Sequence, residues 1–475
     1  MSSLIVDFFD RQLQIDGPVL TDISGGARRS VYGVDLLEQL DSLAGALAER
    51  GARQGDRVVA VFDNNLDSAL TLLTAMRHSI TLCLQPTGTP SQDLERLRAD
   101  LGATAIINAS RKDLQGALSI QLEDLTVYAP LVPHPVVPRT PFTITFTSGS
   151  TGTPKGIVHS AESFLACAEA FNRQSGITGQ DRFLNVMPMF YMAGIFNGIL
   201  APLMAGASVV IGDAFNAATA MGFWPTISAE GISALWLSPT MLSLVVRLDR
   251  TDKKVPACFR RLFVGTGAMD AADAKLFHRT YGLAPIQSYG LSELLYISVD
   301  SSAVPNFGTV GYPLEGVVLT CSADEPLGVI SPFAFRGYLV DGEFRPHEGK
   351  FLTSDLADIS DDGSVSILGR ADDIILRGGL NVNPVDLEAA LAPIMGGRRF
   401  CITGLKDATL GQKVVLVTEG GSIGDTVLAQ ARRVVRDRPG CAQLDTATQV
   451  AILPIGPTGK IRRAALRKML DGDSA

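Results

Sequence analysis

Residues 142–156 read FTITFTSGSTGTPKG, a short apolar run followed by a loop rich in glycine and hydroxyl side chains. The apolar run favours a strand. The glycines of the loop allow the backbone to approach a ligand closely, the hydroxyl groups can donate hydrogen bonds, and Lys155 adds a positive charge. These features are typical of a loop that grips phosphate, although composition alone equally allows a surface turn. A Walker A motif is excluded, because Pro154 stands where its second glycine is required.

Strand-like and helix-like segments alternate on both sides of this loop. The expected strands are short apolar runs at residues 57–62, 80–84, 105–107, 234–237 and 261–264. The expected helices have apolar residues at helical spacing, at residues 66–76, 91–101, 161–172, 239–248 and 273–280. Such alternation predicts an α/β fold in which parallel sheets are covered by helices.

The residue pattern changes after Gly308. From there on, short β-runs are separated by Gly, Pro and Asp-Gly turns. This pattern predicts a small antiparallel or barrel-like β part. After the segment GRADD at residues 369–373 the pattern is that of a compact α+β unit, with strands at 374–376, 400–403 and 413–418 and helices at 384–391 and 424–436. We therefore expect a large N-terminal domain, residues 1–370, and a small C-terminal domain, residues 371–475.

The 475-residue chain has a formal net charge of −8 and a pI near 5.3. It lacks the excess of positive charge that binding to nucleic acid or to an anionic membrane surface requires, so neither is expected as a partner. The six cysteines are scattered singly, which predicts buried thiols in a reducing compartment rather than a zinc site or disulfides. The isolated histidines His159, His278 and His347 are expected to be structural. The first residues, MSSLIVDFFDRQLQ, lack the basic start of a signal peptide, and we expect a cytoplasmic protein.

One apolar block resembles a membrane-spanning segment in length and composition. Residues 190–212 carry no charge, and Gly194 and Gly198 form a GxxxG pattern. The alternative is a buried helix, a turn and a strand inside a large core. Asn197, Pro202 and the β-like ending GASVVI favour this alternative.

Five further motifs follow the phosphate-type loop along the chain: QSYGLSE at 287–293, GTVGYP at 308–313, TSDL at 353–356, GRADD at 369–373 and PTGK at 457–460. With TSGSTGTPKG at 147–156, their order and spacing resemble the adenylate-forming (ANL) superfamily over nearly the whole chain. The resemblance is closest to the AMP-forming acyl- and aryl-CoA synthetases. Such enzymes join a carboxylate to ATP, release pyrophosphate and pass the acyl group from the acyl-adenylate to a thiol. The resemblance implies ATP, Mg²⁺ and CoA as cofactors, with a phosphopantetheine carrier protein as the alternative acceptor.

The resemblance also assigns roles to residues at matching positions. It implies contacts to the β- and γ-phosphates from the loop residues Thr147, Ser148, Gly149, Ser150, Thr151, Gly152 and Lys155. Glu293 matches the magnesium ligand, and Ser292 stands where the family usually has a threonine that contacts the α-phosphate. Lys460 matches the lysine that reaches the reacting carboxylate and the α-phosphate, where an ammonium group stabilises developing negative charge. Lys460, Ser292 and Glu293 are therefore the expected catalytic residues.

Contacts to the nucleoside are implied in two further places. The adenine-contacting residues are expected to be Thr266, Gly267, Ala268, Tyr289 and Gly290. The first three of these form a variant of the family's GGAPL, with Met269 and Asp270 in place of its Pro-Leu. Asp355 matches the carboxylate that accepts hydrogen bonds from the ribose hydroxyls, and Arg370 matches the arginine that contacts ribose and phosphate.

The pocket for the acid is expected to include Phe190, Tyr191, Gly194, Gly265 and Ser288. Amino-acid-activating relatives carry an aspartate in the segment that here reads MPMFYMAG, residues 187–194, which has no acidic side chain. An α-ammonium group would therefore remain unpaired in an apolar pocket, which is costly. An aliphatic or aryl carboxylic acid is the expected substrate.

The segment after GRADD implies a mobile small domain. Asp372 is the expected hinge, and Gly378 and Gly379 are expected beside the passage for the thiol, where absent side chains allow close approach. Residues 377–384, RGGLNVNP, resemble the acyl- and aryl-CoA synthetase version of this segment. CoA is therefore the first choice of acceptor and a separate carrier protein the second, and a non-catalytic nucleotide-binding relative is a further alternative.

Overall fold

The computed structural model describes residues 3–110, 118–119, 129–133, 140–147, 155–267, 269, 271–302, 304–322, 325–378, 380–436, 443–455 and 461–472. The chain divides into two compact units. The first comprises Met1–Phe307, Gly311–Val317 and Ile330–Gly349, and the second comprises Gly308–Val310, Val318–Val329 and Lys350–Ala475. The second unit thus takes in residues 350–370 and two earlier segments, ahead of the boundary expected after residue 370. The functional division into residues 1–370 and 371–475 stays a prediction.

The helices of the described residues are α1 Ser3–Gln12, α2 Gly33–Glu49, α3 Leu66–His78, α4 Ser91–Leu101, α5 Ala161–Ser175, α6 Ala201–Met204, α7 Ala217–Met221, α8 Phe223–Glu230, α9 Pro239–Leu248, α10 Ala271–Tyr281, α11 Pro384–Leu391, α12 Asp425–Arg436 and α13 Arg463–Gly472. A π-helical segment, Ala193–Leu200, runs directly into α6. Short 3₁₀ turns lie at Ser24–Gly26, Ala371–Asp373 and Ala392–Ile394.

The strands of the described residues are β1 Pro18–Asp22, β2 Arg29–Tyr32, β3 Arg57–Phe62, β4 Thr81–Pro86, β5 Ala105–Asn108, β6 Leu118–Ser119, β7 Pro141–Thr147, β8 Lys155–Ser160, β9 Arg182–Asn185, β10 Ser208–Ile211, β11 Ala234–Leu237, β12 Arg261–Val264, β13 Ile286–Leu291, β14 Leu295–Val299, β15 Tyr312–Pro313, β16 Val318–Ser322, β17 Glu325–Ile330, β18 Gly337–Val340, β19 Glu343–Pro346, β20 Phe351–Leu352, β21 Asp355–Ile359, β22 Val365–Arg370, β23 Ile375–Arg377, β24 Leu380–Val382, β25 Phe400–Asp407, β26 Gly411–Glu419 and β27 Thr446–Val450.

The first unit contains a sheet with strand order β19-β18-β8-β7-β4-β3-β5-β6. Its strands β7, β4, β3 and β5 are parallel, as the alternation of strands and helices predicts. Helix α3 begins where the Asn65 side chain accepts a hydrogen bond from the Ser68 N–H, a common N-cap arrangement. Beyond β7 the sheet becomes antiparallel, because the chain returns along β8 and the hairpin β18–β19 pairs with β8.

A second sheet of the first unit has the order β15-β14-β13-β12-β11-β9-β10-β1-β2. The strands from β13 to β1 are parallel, and antiparallel strands close both edges. Trp236 on β11 stacks on Phe263 of β12 at 5.4 Å between ring centroids, and on Tyr296 of β14 at 5.3 Å. Burying a side chain such as Phe263 completely stabilises the fold by about 1.5–3 kcal/mol, so this aromatic layer is a substantial part of the core. The two sheets confirm the predicted α/β fold.

The apolar block at residues 190–212 forms the π-helical segment, α6 and the buried strand β10, which confirms its interpretation as core structure. A Cβ atom on Gly194 would collide with the backbone of Pro188, and one on Gly198 would collide with the Asn185 side chain. The GxxxG pattern therefore lets the π-helical segment approach the last residue of β9 and the chain that follows it. Among the described residues, no helix combines the length and the apolar character needed to cross a membrane.

The second unit contains three small sheets: β16-β17-β20, β21-β22, and β24-β23-β26-β25 with β27 beside β26. The pair β21–β22 is antiparallel and is joined at Asp362-Gly363, as the Asp-Gly turn predicts, and the pair β17–β20 is antiparallel as well. Helix α11 begins at Pro384 behind the Asn383 side chain, which accepts a hydrogen bond from the Val385 N–H. Helices α11 and α12 pack on a core that includes Ile375, Ile402 and Leu416.

Candidate active site

The predicted phosphate loop connects the two strands of a hairpin. Thr147, the last residue of β7, lies opposite Lys155, the first residue of β8. The loop therefore leaves and rejoins the sheet at one place. Residues 148–154, with the predicted phosphate contacts Ser148 to Gly152, lie outside the described residues, as does the Thr147 side chain. Those contacts stay a prediction.

Glu293, the predicted magnesium ligand, lies in the turn between β13 and β14. The Tyr338 hydroxyl donates a hydrogen bond to its Oε1 atom at 2.8 Å. Lys155 Nζ lies 5.6 Å from the centroid of the same Tyr338 ring, within cation–π range. The structure thus brings both predicted residues to one tyrosine, with Glu293 at its hydroxyl and Lys155 at the face of its ring. Sequence reasoning missed Tyr338, whose only signal is its place in a β-run after Arg336-Gly337.

The chemistry around Glu293 fits Mg²⁺. Among the described residues, no group of three or more His, Cys, Asp or Glu side chains could hold a metal ion. Mg²⁺ is usually held by one or two carboxylates together with substrate phosphates and waters, so a single carboxylate beside a phosphate loop is a suitable donor.

His159 on β8 lies against the same turn. Its Nε2 atom is 2.7 Å from the backbone oxygen of Ser292, and its ring is fully buried beside Phe164 and Phe335. Burial lowers the pKa of His159 to about 4, so the imidazole is neutral at pH 7 and its Nε2–H donates to the carbonyl group. The histidine expected to be structural therefore holds the backbone of a predicted catalytic residue.

Two predicted site segments meet where the end of β12 pairs with the first residues of β13. Val264 pairs with Gln287, and a Cβ atom on Gly265 would lie 2.9 Å from Ser288 Oγ and 2.6 Å from the Trp236 ring. The predicted pocket residues Gly265 and Ser288 are therefore neighbours. A glycine is required at position 265 because Trp236 fills the space of a side chain.

The predicted adenine segment shows backbone strain and unpaired polar atoms. Thr266 has a φ of 65°, which is unusual for a β-branched residue and is typical of functional sites. The Oγ1 atom of Thr266 and the Nε2 atom of Gln287 are buried and have no hydrogen-bond partner among the described residues. Such atoms are expected where a polar ligand such as a nucleoside supplies the missing bonds. Ala268 lies outside the described residues, and Gly290 approaches the Leu295 carbonyl so closely that a side chain would collide there.

The predicted pocket residues Phe190 and Tyr191 lie in the turn before the π-helical segment. Their rings are 4.8 Å apart, and the Tyr191 carbonyl accepts a hydrogen bond from the Gly194 N–H at 3.0 Å. One turn thus contains all three predicted pocket residues, Phe190, Tyr191 and Gly194. Its sequence includes no acidic side chain.

In the second unit, the predicted ribose ligands lie opposite each other on β21 and β22. Asp355 pairs with Arg370 in the strand register, and Arg370 Nε lies 3.8 Å from Asp355 Oδ1. The Asp355 side chain is 12% exposed and that of Arg370 is 57% exposed, so the arginine can reorient towards a ligand. The structure brings the predicted carboxylate and arginine together, and their contacts to ribose and phosphate stay a prediction.

The predicted hinge, Asp372, lies between two anchored neighbours. The Ala371 N–H donates to the Ser354 carbonyl at 2.7 Å, and the Asp373 carboxylate pairs with Arg467 at 3.1 Å and with Arg463 at 3.5 Å. Gly378 has a φ of 56° at the tip of the β23–β24 hairpin. The hairpin residue Gly379 and the predicted catalytic Lys460 lie outside the described residues.

Comparison with known proteins identifies the relatives of this chain. Residues 12–328 match the profile of the AMP-binding enzyme family. A sulfoacetate–CoA ligase of Cupriavidus necator is 26% identical over 70% of this chain and 68% of its own length. A fatty acid–[acyl-carrier-protein] ligase of Mycobacterium marinum is 24% identical over 91% of both chains. Other curated relatives are matched over 61% and 50% of their own lengths.

The fold is shared with a solved structure. The ATP-bound MatB from Rhodopseudomonas palustris superposes with a TM-score of 0.85 at 20% identity, over 99% of each chain. These findings confirm the predicted fold class and the resemblance drawn from the motifs. Because the profile covers more than half of its residues, the chain belongs to the AMP-binding enzyme family.

Proposed function

We propose that this protein is an AMP-forming acid–thiol ligase, which activates a carboxylic acid with ATP and transfers the acyl group to CoA. The observation that carries the proposal is the meeting of Lys155 and Glu293 at Tyr338, at the end of the predicted phosphate loop. A cation for the phosphates and a carboxylate for Mg²⁺ are the two charges that phosphoryl transfer from a metal-bound triphosphate requires.

In the first half-reaction, a carboxylate oxygen of the acid attacks the α-phosphorus of ATP and pyrophosphate leaves. We assign Lys155 and the hydroxyl-rich loop to the leaving phosphates and Ser292 to the α-phosphate. The ammonium group of Lys460 stabilises the negative charge that develops between the carboxylate and the α-phosphate. Bound at Glu293, Mg²⁺ would neutralise phosphate charge.

In the second half-reaction, the thiol sulfur of CoA attacks the acyl carbon and AMP leaves. We assign the orphaned polar atoms of Thr266 and Gln287 to the adenine. For Asp355 and Arg370 we keep the roles towards ribose and phosphate that the family resemblance implies. Each of these groups supplies hydrogen bonds or charge that a nucleoside monophosphate needs.

We infer that the acid carries no α-ammonium group. The turn that contains Phe190 and Tyr191 has no acidic side chain that could pair an α-ammonium group. Neutral aliphatic or aryl acids are therefore the substrate class, and their α-amino analogues should be poorer by about two orders of magnitude or more.

A separate acyl-carrier protein is the second candidate acceptor. It is favoured by the match with the Mycobacterium marinum ligase, which extends over 91% of both chains. Both acceptors present the same phosphopantetheine thiol, so they leave the adenylation step unchanged.

The test is pyrophosphate release from ATP with a panel of aliphatic, aryl and α-amino acids. Thioester yield is then measured with free CoA and with a phosphopantetheinylated carrier protein. Release that depends on a neutral acid, followed by an acyl-CoA product, is the expected result. No release with any acid would contradict ligase function, release with amino acids alone would contradict the substrate class, and a thioester on the carrier protein alone would favour the second acceptor.

A further inference from the structure

Tyr338 occupies an unusual place in the first unit, because it contacts both charged residues that the proposed function assigns to the triphosphate. Its hydroxyl donates to Glu293 Oε1 at 2.8 Å, and its ring faces Lys155 Nζ at 5.6 Å from the centroid. Tyr338 itself has no group that would bind phosphate better than these neighbours do. Its contacts therefore point to a role in which Tyr338 acts through Lys155 and Glu293.

The position of Tyr338 is fixed from two sides. Strand β18 pairs with β8 so that Tyr338 lies opposite Ile157, which places the ring beside Lys155 at the start of β8. Phe335 contacts the Tyr338 ring edge-on at 4.7 Å, and the Phe335 N–H donates to the Glu293 backbone oxygen at 2.7 Å. The turn that holds Glu293 is thus tied to residues 335–338 through both its backbone and its side chain.

This arrangement limits the orientations of the Glu293 carboxylate. A hydrogen bond to Oε1 restricts the rotation of the carboxylate and engages one of its two oxygens. The neutral phenol is the donor in this bond, and the carboxylate oxygen is the acceptor. The Lys155 ammonium group gains a cation–π contact on the ring face, which restricts its position as well.

We propose that Tyr338 is a positioning residue that orients Glu293 towards Mg²⁺ and Lys155 towards the phosphates of ATP. The proposal rests on the proposed function, since the two charges it aligns are those assigned to the triphosphate. Groups that orient a metal ligand typically affect metal affinity or activity by about 10–100-fold when they are removed.

The decisive variant is Tyr338→Phe, which keeps the ring and its contacts with Lys155 and Phe335 and deletes only the hydroxyl. We expect the Mg²⁺ concentration for half-maximal adenylation to rise about 10-fold, with kcat at saturating Mg²⁺ little changed. Calorimetric titration with ATP, in the absence of the acid, should show the same loss in affinity with Mg²⁺ present and little change with EDTA. Tyr338→Leu should also raise the KM for ATP, because it removes the face that Lys155 contacts.

Tyr281→Phe is the matched control. The Tyr281 hydroxyl donates to Asp249 Oδ2 at 2.8 Å, so this variant removes the same kind of tyrosine–carboxylate bond in the same unit. It should lower thermal stability without moving the Mg²⁺ midpoint.

The outcomes separate this inference from the proposed function. If Tyr338→Phe keeps the wild-type Mg²⁺ midpoint while the wild type releases pyrophosphate, the positioning role is wrong and the ligase function stands. If the wild type releases no pyrophosphate with any acid, the ligase function fails, and the Mg²⁺-dependent ATP titration still decides the role of Tyr338. ATP binding by the wild type that is independent of Mg²⁺ would overturn the inference.

Discussion

The Nε2 atom of His159 lies 2.7 Å from the backbone oxygen of Ser292, which joins strand β8 to the turn that presents Glu293. These residues are 133 positions apart in the sequence. The bond requires the neutral imidazole to carry its proton on Nε2, and full burial keeps the ring uncharged by lowering its pKa to about 4.

The burial of His159 predicts a pH-dependent stability. The ordinary pKa of 6.5 applies to the unfolded chain, so below pH 6.5 the unfolded state binds a proton that native His159 does not. Stability is therefore complete above pH 6.5 and falls as the pH decreases towards 4. At pH 5.0 we expect a loss of about 2 kcal/mol from this residue. Urea unfolding at pH 7.5 and pH 5.0 measures it: the wild type should lose that much more than His159→Gln, and equal losses in the two proteins would contradict the prediction.

Glu293→Gln should weaken Mg²⁺-dependent adenylation. A neutral amide is a poorer ligand for a hard cation than a carboxylate, and we expect the Mg²⁺ requirement to rise about 10–100-fold. The measurement is the rate of pyrophosphate release across a Mg²⁺ titration. Glu315→Gln is the control, because Glu315 is exposed, pairs with Arg173 at the surface and should keep the wild-type curve. An unchanged curve for Glu293→Gln would show that Glu293 is not the metal ligand.

Lys460→Ala should separate the two half-reactions. The lysine is needed only where the carboxylate attacks phosphorus, so adenylation should fall about 100-fold or more while transfer from a supplied acyl-adenylate is retained. Both rates are measured on the same preparation. Lys468→Ala, at an exposed position of α13, should leave both rates unchanged. Comparable losses in both half-reactions of Lys460→Ala would contradict the assignment.

Asp372→Pro and Gly379→Leu should slow thioester formation more than adenylation. Asp372 lies between Ala371, held by Ser354, and Asp373, held by Arg467, and proline would fix its φ near −65°. If residues beyond Asp372 must rotate between the half-reactions, a misplaced thiol passage should cost about 100-fold in the second step. Pyrophosphate release and thioester yield are measured separately, with Asp372→Ala as the control for loss of the carboxylate. Equal slowing of both steps, with circular dichroism unchanged, would contradict a hinge at this residue.

Much of the fold was predicted from the hydrophobic pattern of neighbouring residues. Strand β3 at residues 57–62 and helix α4 at 91–101 have the bounds predicted from the sequence, because burial on both faces and helical spacing are properties of neighbouring residues. The thiols were harder to place. The prediction that the cysteines are buried is wrong for Cys321, which is exposed on β16, and only partly right for Cys258. Cys441 lies outside the described residues.

The candidate site was also predicted only in part from the sequence. Motifs indicated Lys155, Glu293, Asp355 and Arg370, because residues with fixed roles recur at fixed spacing. Tyr338 was missed because its partner Glu293 is 45 residues away, and no periodicity links a strand residue to a turn at that distance. Long-range pairing likewise places residues 350–370 in the second unit, ahead of the GRADD segment that suggested a boundary.

The interleaving of the two units along the chain has a consequence for synthesis on the ribosome. Val318–Val329 belongs to the second unit, but the residues made directly after it, Ile330–Gly349, belong to the first. The first unit lacks the β18–β19 hairpin until that stretch has emerged, since Tyr338 must pair with Ile157. During the same interval β17 remains unpaired with β20, because Phe351–Leu352 has not yet been synthesised. The nascent chain therefore exposes unpaired strand edges of both units during one interval of translation, when chaperones would find it most readily.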